Sequence, residues 1–300
     1  MRNIIKLSYR PEIDGLRAIA ILSVLIYHSN LSIFEVQLSG GYLGVDIFFV
    51  ISGYLITSII LKEIYSTNNF SFRNFYERRA RRIIPALLFV ILCSLPFAYS
   101  ILLIEPIIDF SKSIISSLFF VSNIYFNFTD NLYGQEHTLY KPFLHTWSLS
   151  VEEQFYILFP IFLIIIIKLF KRYLVIFLGI GLLISILFSQ YSSIYHPGIN
   201  FYQIFSRGFE LLLGSLLSYF ELNNIGWDRK SNKKINQLFP KLGISLIIFS
   251  IFFFDDTDLL PSFYSLIPLS GVCLIIYFSD RDEVITKILS NKKFVFFGLI

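Results

Sequence analysis

The sequence predicts an all-α fold, a polytopic bundle of helices embedded in a membrane, and three observations support it. Of the 300 residues, 55% are hydrophobic and only 15% are charged, whereas soluble domains carry about a quarter charged residues. The apolar residues form long runs, and a membrane-spanning helix needs about 20 predominantly apolar residues. Lys and Arg are concentrated between those runs. We therefore expect one integral membrane domain over residues 1–300.

The apolar runs predict the order of the helices along the chain. The first run is not a cleavable signal peptide, because it contains Arg17 and His28 and lacks a small-residue cleavage site. A tenth run begins at Phe294. The nine complete runs cover residues 17–34, 42–61, 83–104, 107–125, 147–167, 173–190, 201–220, 241–254 and 263–279.

The basic residues predict the orientation of the chain. Loops with few basic residues alternate with basic ones, and basic loops stay in the cytoplasm, so we expect a cytoplasmic N-terminus. The basic segments are the N-terminal tail and residues 62–82, 168–172, 229–241 and 281–293, whereas residues 30–41, 191–200 and 255–262 contain neither Lys nor Arg.

The fourth run, residues 107–125, breaks this alternation. Three runs separate Arg82 from Lys168, and an odd number of crossings cannot return the chain to the same side. This run is also the weakest, because it contains Asp109, Lys112 and several serines. We expect it to be re-entrant or interfacial, which requires protein or a water-filled cavity around its backbone. The alternative is that the basic-loop rule fails at residues 168–172.

The first run places an arginine and a histidine on one helix face. Arg17 and His28 are eleven residues apart, almost three turns or about 16 Å along the axis. Ionisable groups inside a membrane are expensive and mark functional sites. We expect His28, held partway through the membrane, to take a proton from a hydroxyl or to act as a nucleophile. The structural alternative is that Arg17 snorkels to the interface and His28 is hydrogen-bonded in the bundle.

Two acids are candidates for orienting that imidazole. Asp46 lies near the outer end of the second run, at about the depth of His28, and is expected either to orient or charge-stabilise the imidazole or to cap its helix. Glu152 lies near the start of the fifth run, and Glu153 points about 100° away from it on a helix. We therefore expect only one of these two glutamates to face the bundle interior.

In the seventh run, Arg207 and Glu210 have the spacing i, i+3. Side chains with this spacing are neighbours on a helix, and charged residues within a membrane usually pair with one another. The spacing therefore predicts a structural ion pair.

Four arginines precede the third run: Arg78, Arg79, Arg81 and Arg82. If these residues only marked the cytoplasmic end of a membrane span, lysine would serve as well as arginine. The use of arginine throughout favours phosphate binding, because guanidinium groups bind phosphate in bidentate geometry. We expect Arg78, Arg79 and Arg82 to bind a phosphate-bearing donor such as a coenzyme A thioester. Anionic lipid headgroups are the competing ligand.

Taken in order, these motifs resemble the acyltransferase family 3 membrane enzymes, in the branch of bacterial surface-glycan O-acetyltransferases. The motifs are R-x10-H, GGYLGVDIFFVISGYLI, FYERRARRIIPAL, HTWSLSVEEQFYILFP and RGFELLLGSLL. The resemblance implies about ten membrane helices that move an acyl group, usually acetyl, from cytoplasmic acetyl-CoA to a hydroxyl of a glycan on the far side. Lipopolysaccharide O-antigen and other polysaccharides are the implied acceptors.

Matched position by position, the resemblance implies essential roles for Arg17 and His28, a donor-binding R-x-x-R at Arg79 and Arg82, and an acid at Glu152. The pantetheine arm is expected to follow a polar channel from Arg79 and Arg82 to His28. Arg17 is expected to support the donor or its thioester end, and Asp46 or Glu152 to fix the imidazole.

The resemblance also implies partners and location. We expect a bacterial inner-membrane protein that contacts membrane lipids and a glycan, with no metal and no nucleic acid; the oligomeric state stays open. The family usually continues into a further span, and many relatives add an SGNH-type extracytoplasmic domain, so the sequence predicts a truncated product. The alternative functions are a transporter or flippase, whose buried charges line a pathway, and an inactive remnant.

Overall fold

The computed structural model describes residues 9–29, 31–33, 36–129, 141–223, 225, 236–255 and 259–299, and it confirms the all-α architecture. The helices of these ranges are α1 Pro11–His28, α2 Gly44–Thr67, α3 Phe72–Ile101, α4 Ile104–Leu118, α5 Ser122–Thr129, α6 Thr146–Phe170, α7 Leu174–Tyr195, α8 Pro197–Tyr202, α9 Ile204–Leu222, α10 Leu238–Phe253, α11 Leu266–Phe278, α12 Val284–Leu289 and α13 Lys292–Leu299.

Short elements connect these helices. Single 3₁₀ turns at Gly41–Leu43, Lys171–Tyr173 and Phe263–Ser265 lead into α2, α7 and α11. Between α1 and α2, the two-residue strands β1 Ser32–Ile33 and β2 Val36–Gln37 pair antiparallel. Of the predicted basic loop at 229–241, residues 229–235 lie outside the described residues.

Among the described helices, two segments are long and apolar enough to cross a membrane by length and composition. They are Gly41–Thr67 and Phe72–Ile101, with mean hydropathies of 2.0 and 2.1 in their most apolar windows. In the first segment 78% of that window is buried, whereas in the second only 17% is. Therefore α2 lies at the centre of the bundle and α3 lies at its periphery.

The central contact of the bundle is between α2 and α9. A Cβ atom at Gly53 would overlap the backbone carbonyl of Leu211, and one at Gly214 would overlap that of Val50. Small residues at such positions let two helix backbones approach closely. The two helices run parallel, because contacts between them follow the same order along both. Asp46 pairs with Arg207, Ser58 with Ser218, and Tyr65 with Asn223.

The direction of α1 gives names to the two ends of the bundle, the Arg10 end and the His28 end. At the Arg10 end, one guanidinium joins four helices, because Arg10 donates to Tyr54, Glu221, the carbonyl of Ile276 and Ser279 at 2.6 to 3.1 Å. Arg10 also pairs with Glu12 at 2.7 Å. Arg10 is therefore a structural anchor as well as a basic residue of the tail.

The run at residues 107–125 is not one helix. It divides between α4 and α5 at a turn where Phe120 has a φ of 55°. The Tyr125 hydroxyl donates to the carbonyl of Asp109 at 3.4 Å, whereas sixteen residues of continuous helix would separate them by about 24 Å. Therefore α5 folds back along α4, in the hairpin geometry that a re-entrant segment requires.

Serines hold this hairpin against the first turns of α6. Ser117 bonds Thr146 and Ser122 bonds Ser150, both at 2.7 Å. The polar residues that weaken the run as a membrane span are thus the residues that bind it to the rest of the protein.

Candidate active site

Glu152 lies in the second turn of α6 and faces α2. Its two carboxylate oxygens accept hydrogen bonds from Ser52 at 2.7 Å and from Tyr156 at 3.1 Å. The guanidinium groups of Arg17 and Arg79 lie within electrostatic range. The structure therefore gives Glu152 other partners than His28, the imidazole that the sequence predicts it to orient.

Arg79 is turned into the bundle. Its guanidinium carbon lies 4.9 Å from the centroid of the Tyr156 ring and 5.9 Å from that of Phe75, within the range of a cation–π interaction. The cation thus rests on the ring of the tyrosine that donates to Glu152.

The other three arginines of this stretch lie at the surface. Arg78 pairs loosely with Glu63 at 3.8 Å, and Arg81 pairs with Glu77 at 2.8 Å. Arg82 is exposed and lies close enough to Arg79 for the two cations to repel each other. The sequence groups Arg78 with Arg79 and Arg82, but the structure separates Arg78 from the interior site.

Arg17 enters the same region from α1. Its side chain is 15% exposed and pairs with Asp14 at 3.1 Å, and Asp14 also accepts a hydrogen bond from Tyr9 at 2.8 Å. Arg17 and Arg79 therefore approach Glu152 from two different helices. We call Arg17, Ser52, Arg79, Glu152 and Tyr156 the arginine–glutamate cluster.

Both glutamates of α6 lie inside the protein, which corrects the prediction that only one faces the interior. Glu153 is 7% exposed, and its Oε1 has no hydrogen-bond partner within the described residues. Glu152 and Arg79 are its electrostatic neighbours. The bundle packs around α6 on more than one face, so a 100° difference in direction does not take the second side chain out of the protein.

His28 lies at the mouth of the bundle. It is the last residue of α1, its side chain is exposed, and its ring packs edge-on against Tyr27 with centroids 5.0 Å apart. The sequence predicts this imidazole partway through the membrane within a run that continues to residue 34. The helix ends six residues earlier, so the imidazole lies at the end of α1 and at the protein surface rather than in the middle of a span.

A second histidine, which the sequence-based site omits, lies near His28. His145 directly precedes α6 and is within electrostatic range of His28. It is exposed in part, yet desolvation by the surrounding protein lowers its pKa, a backbone hydrogen bond at Pro142 raises it, and the nearby His28 lowers it, with a net decrease. His145 is therefore neutral at neutral pH. The sequence signal that could have identified His145 as a site residue is its position at the start of the HTWSL motif.

Asp46 belongs to a buried ionic network with Arg207. Arg207 donates to Asp46 at 2.8 Å and to Glu210 at 3.1 Å, and each of these side chains is at most 3% exposed. The predicted ion pair between Arg207 and Glu210 is confirmed. The predicted contact of Asp46 with His28 is replaced by the contact with Arg207, because a buried carboxylate needs a charged partner.

Aromatic rings enclose the same guanidinium. Its carbon lies 5.3 Å from the Trp147 ring and 4.9 Å from the Phe201 ring. Trp147 is two residues beyond His145, so this network also fixes the start of α6. Within the described ranges no three His, Cys, Asp or Glu side chains form a group that could hold a metal ion.

Comparison with known proteins concerns nearly the whole chain. A family model described as an acyltransferase domain matches residues 10–292. A Staphylococcus aureus protein provisionally named an O-acetyltransferase is 36% identical over 98% of this chain and 49% of its own length. The peptidoglycan O-acetyltransferase OatA of Listeria monocytogenes is 34% identical over 97% of this chain and 47% of its own length.

The O-acetyltransferase OatA of Staphylococcus aureus is 33% identical, over 97% of this chain and 48% of its own length. The chain thus spans about half the length of the curated relatives that it matches. No solved structure matches it significantly.

Proposed function

The chain belongs to this acyltransferase domain family, and from that premise we propose that it is a membrane-embedded O-acetyltransferase. It moves an acetyl group from acetyl-CoA, on the cytoplasmic side, to a hydroxyl of an extracytoplasmic cell-surface glycan. The observation that carries the proposal is the arginine–glutamate cluster inside the bundle, with Arg17 of that cluster on the same helix as His28.

The cluster suits the donor. Arg79 has aromatic rings beneath it, and Arg82 is exposed beside it, so both guanidinium groups can face a phosphate. Glu152 is within electrostatic range of both Arg79 and Arg17, and its negative charge stabilises both cations. Arg17 then supports the arm of the donor, and a helical rise of about 16 Å separates it from His28.

The reaction takes place at His28. The imidazole takes the proton of the acceptor hydroxyl, the oxygen bonds to the thioester carbonyl carbon, and the carbon–sulfur bond breaks to release the thiolate of coenzyme A. In a second route the imidazole nitrogen takes the acetyl group first and passes it to the hydroxyl. Both routes need an imidazole that the glycan can reach, and the exposed position of His28 supports that requirement.

The surface supports a multi-pass membrane location with a cytoplasmic Arg10 end. Large apolar side chains are exposed along α3 and α7, among them Phe89 at 68% and Ile184 at 63%. Contiguous apolar surface of this kind marks contact with a membrane or partner. Basic residues of the 62–82 and 168–172 segments lie toward the Arg10 end, where the positive-inside rule places the cytoplasm.

The acceptor is a glycan of the cell surface. One relative is named for peptidoglycan, so cell-wall glycans join the O-antigen and other polysaccharides as candidate acceptors. The family match disfavours a transporter or flippase, and no specific observation favours an inactive remnant.

The test is transfer of label from acetyl-CoA to glycan in membranes that contain the protein. His28→Ala is expected to abolish transfer at unchanged protein level, whereas the control His196→Ala, which alters an exposed histidine after α7, is expected to keep it. Normal transfer by His28→Ala would refute the role of His28. Absence of transfer by the unmodified protein to every glycan supplied would refute the proposed activity.

A further inference from the structure

We propose that a pocket at the Arg10 end, apart from the arginine–glutamate cluster, binds the headgroup of a membrane phospholipid that carries both a phosphate and an ammonium group. The pocket has a volume of about 340 Å³ and lies between the ends of α2, α6 and α9 and the start of α7. Its polar lining consists of Tyr65, Asn68, Lys171, Tyr219 and Asn223. Pockets for small ligands begin at about this size.

An apolar layer separates this pocket from the arginine–glutamate cluster. Ile167 of the pocket lies eleven residues beyond Tyr156 on α6, about 16 Å along the axis. The space between is filled by Ile60, Phe159 and Leu163, which are at most 4% exposed and belong to one core cluster. A ligand in the pocket therefore does not lie on the path of the donor arm through the interface of α2 and α6.

The electrostatics of the pocket favour a ligand with two opposite charges. Lys171 and the N-terminus of α7 are positive and favour a phosphate. The C-terminal ends of α2, α6 and α9 meet at the same pocket, and a helix C-terminus carries a partial negative charge that favours a cation. The partial negative charges of those three helix ends would disfavour a phosphate alone. A zwitterionic headgroup places its phosphate by Lys171 and its ammonium group by the helix ends, so both of its charges are stabilised.

The aromatic and amide groups suit the cationic part of the headgroup. Tyr65 and Tyr219 present rings that attract an ammonium group. The Asn223 amide donates to the Tyr65 hydroxyl at 3.3 Å and to the carbonyl of Tyr219 at 2.9 Å. This bonding ties the Tyr65 hydroxyl and the Asn223 amide to the end of α9 before a ligand arrives.

The apolar surroundings favour a lipid over a soluble zwitterion. Ile64, Ile167 and Leu174 form the rest of the lining. Next to the pocket, Leu169 and Tyr173 are 69% and 50% exposed and offer a surface for acyl chains. This step rests on the membrane placement proposed above, but it does not depend on the acetyl-transfer chemistry.

The test is native mass spectrometry of the purified full chain in detergent with equal amounts of phosphatidylethanolamine and phosphatidylglycerol. The unmodified protein is expected to retain phosphatidylethanolamine in preference. Lys171→Ala is expected to reduce that retention at least tenfold, and Ile64→Trp, which fills the pocket while keeping every charge, is expected to reduce it equally. The control Lys168→Ala, on the preceding turn and outside the lining, is expected to retain the lipid.

Three results would overturn the inference. These are equal retention by the unmodified protein and both pocket variants, preference for phosphatidylglycerol, and displacement of the lipid by coenzyme A, which would make the pocket a donor site. Glycerophosphoethanolamine without acyl chains is tested in parallel, and binding as tight as that of the lipid would exclude the lipid source. Acetyl transfer is assayed separately, so failure of that activity alone leaves this result unaffected.

Discussion

Arg79 differs from the arginines around it in the direction of its side chain. Arg79 stacks on Tyr156 inside the bundle, whereas Arg81, two residues along α3, is exposed and paired with Glu77. Arg79→Ala is expected to raise the KM for acetyl-CoA about 10- to 100-fold, because a hydrogen bond to a charged group contributes about 1.5–3 kcal/mol. The measurement is initial-rate kinetics in detergent at varied donor concentration.

Arg81→Ala is the matched control for Arg79. It removes the same charge from the same helix and leaves the interior intact. Its KM is expected to stay within about twofold of the unmodified enzyme, because the Arg81 guanidinium is exposed and pairs with Glu77 at the surface, where ion pairs contribute little. Equal effects of the two variants would mean that the net charge of the stretch matters and the inward position of Arg79 does not.

His145 gives the proposed reaction a pH signature. A permanent cation at position 145 would oppose a proton on His28, because like charges oppose each other's ionisation, whereas the neutral His145 does not. His145→Lys is therefore expected to move the acidic limb of the kcat/KM profile to lower pH, because the added charge keeps the imidazole needed for catalysis neutral further into the acidic range.

His145→Gln is the matched neutral control and is expected to leave the profile near neutral pH unchanged, because desolvation lowers the pKa of His145 and keeps it neutral there. The measurement is the pH profile from about pH 5 to 8, the range in which histidines titrate. An unchanged acidic limb in His145→Lys, or a shift to higher pH, would contradict the electrostatic coupling of position 145 to His28.

Spacing along one helix was readable from the sequence, whereas pairing between helices was not. The i, i+3 spacing alone is enough to predict the ion pair of Arg207 with Glu210. The third member of that network, Asp46, lies 161 residues earlier, and no local pattern connects it to Arg207. Glu153 illustrates the same limit, because its burial depends on which helices surround α6.

At the scale of elements, the contact of α2 with α9 is the most sensitive to added volume. A Cβ at Gly53 would overlap a backbone carbonyl of α9, which a change of side-chain rotamer cannot relieve. Gly53→Ala is expected to lower the free energy of unfolding by about 1–3 kcal/mol or more, as overpacked cores do. The measurement is the midpoint of thermal unfolding in detergent.

Gly179→Ala on α7 is the matched control, since no heavy atom lies within 4 Å of its added Cβ. Alanine is a better helix former than glycine by up to about 1 kcal/mol, so this variant is expected to be as stable as the unmodified protein or slightly more stable. Equal midpoints for Gly53→Ala and the unmodified protein would show that the two backbones separate without cost.

The apolar runs predicted the helices well but not all of their ends. The run at 17–34 continues past His28 in hydropathy, yet the chain leaves the helix there and pairs β1 with β2. Hydropathy measures preference for an apolar surrounding and does not register backbone pairing in the next loop. In the run at 107–125 the serines correctly indicated an irregular span, because Ser117 and Ser122 bond to residues of α6.

For the molecule as a whole, the order of the polar groups along the bundle is the feature that bears on function. The arginine–glutamate cluster lies in the interior, and His28 and His145 lie at the far mouth. A donor whose phosphates bind near the arginine–glutamate cluster could extend its thioester toward His28, where it would meet an acceptor hydroxyl from the other side. Under the proposed function, the transfer is vectorial, with donor and acceptor on opposite sides of the membrane.

This order predicts transfer across a sealed bilayer. In proteoliposomes with a glycan oligosaccharide trapped inside, labelled acetyl-CoA added outside is expected to acetylate the trapped acceptor, because molecules inserted with the Arg10 end outward receive the donor there. Arg79→Ala is expected to slow the labelling, and Arg81→Ala to leave it unchanged. A trapped dye reports leakage in the same vesicles. Acetylation only when donor and acceptor share one side would contradict a passage between the cluster and His28, since that pattern needs a single mouth for both substrates.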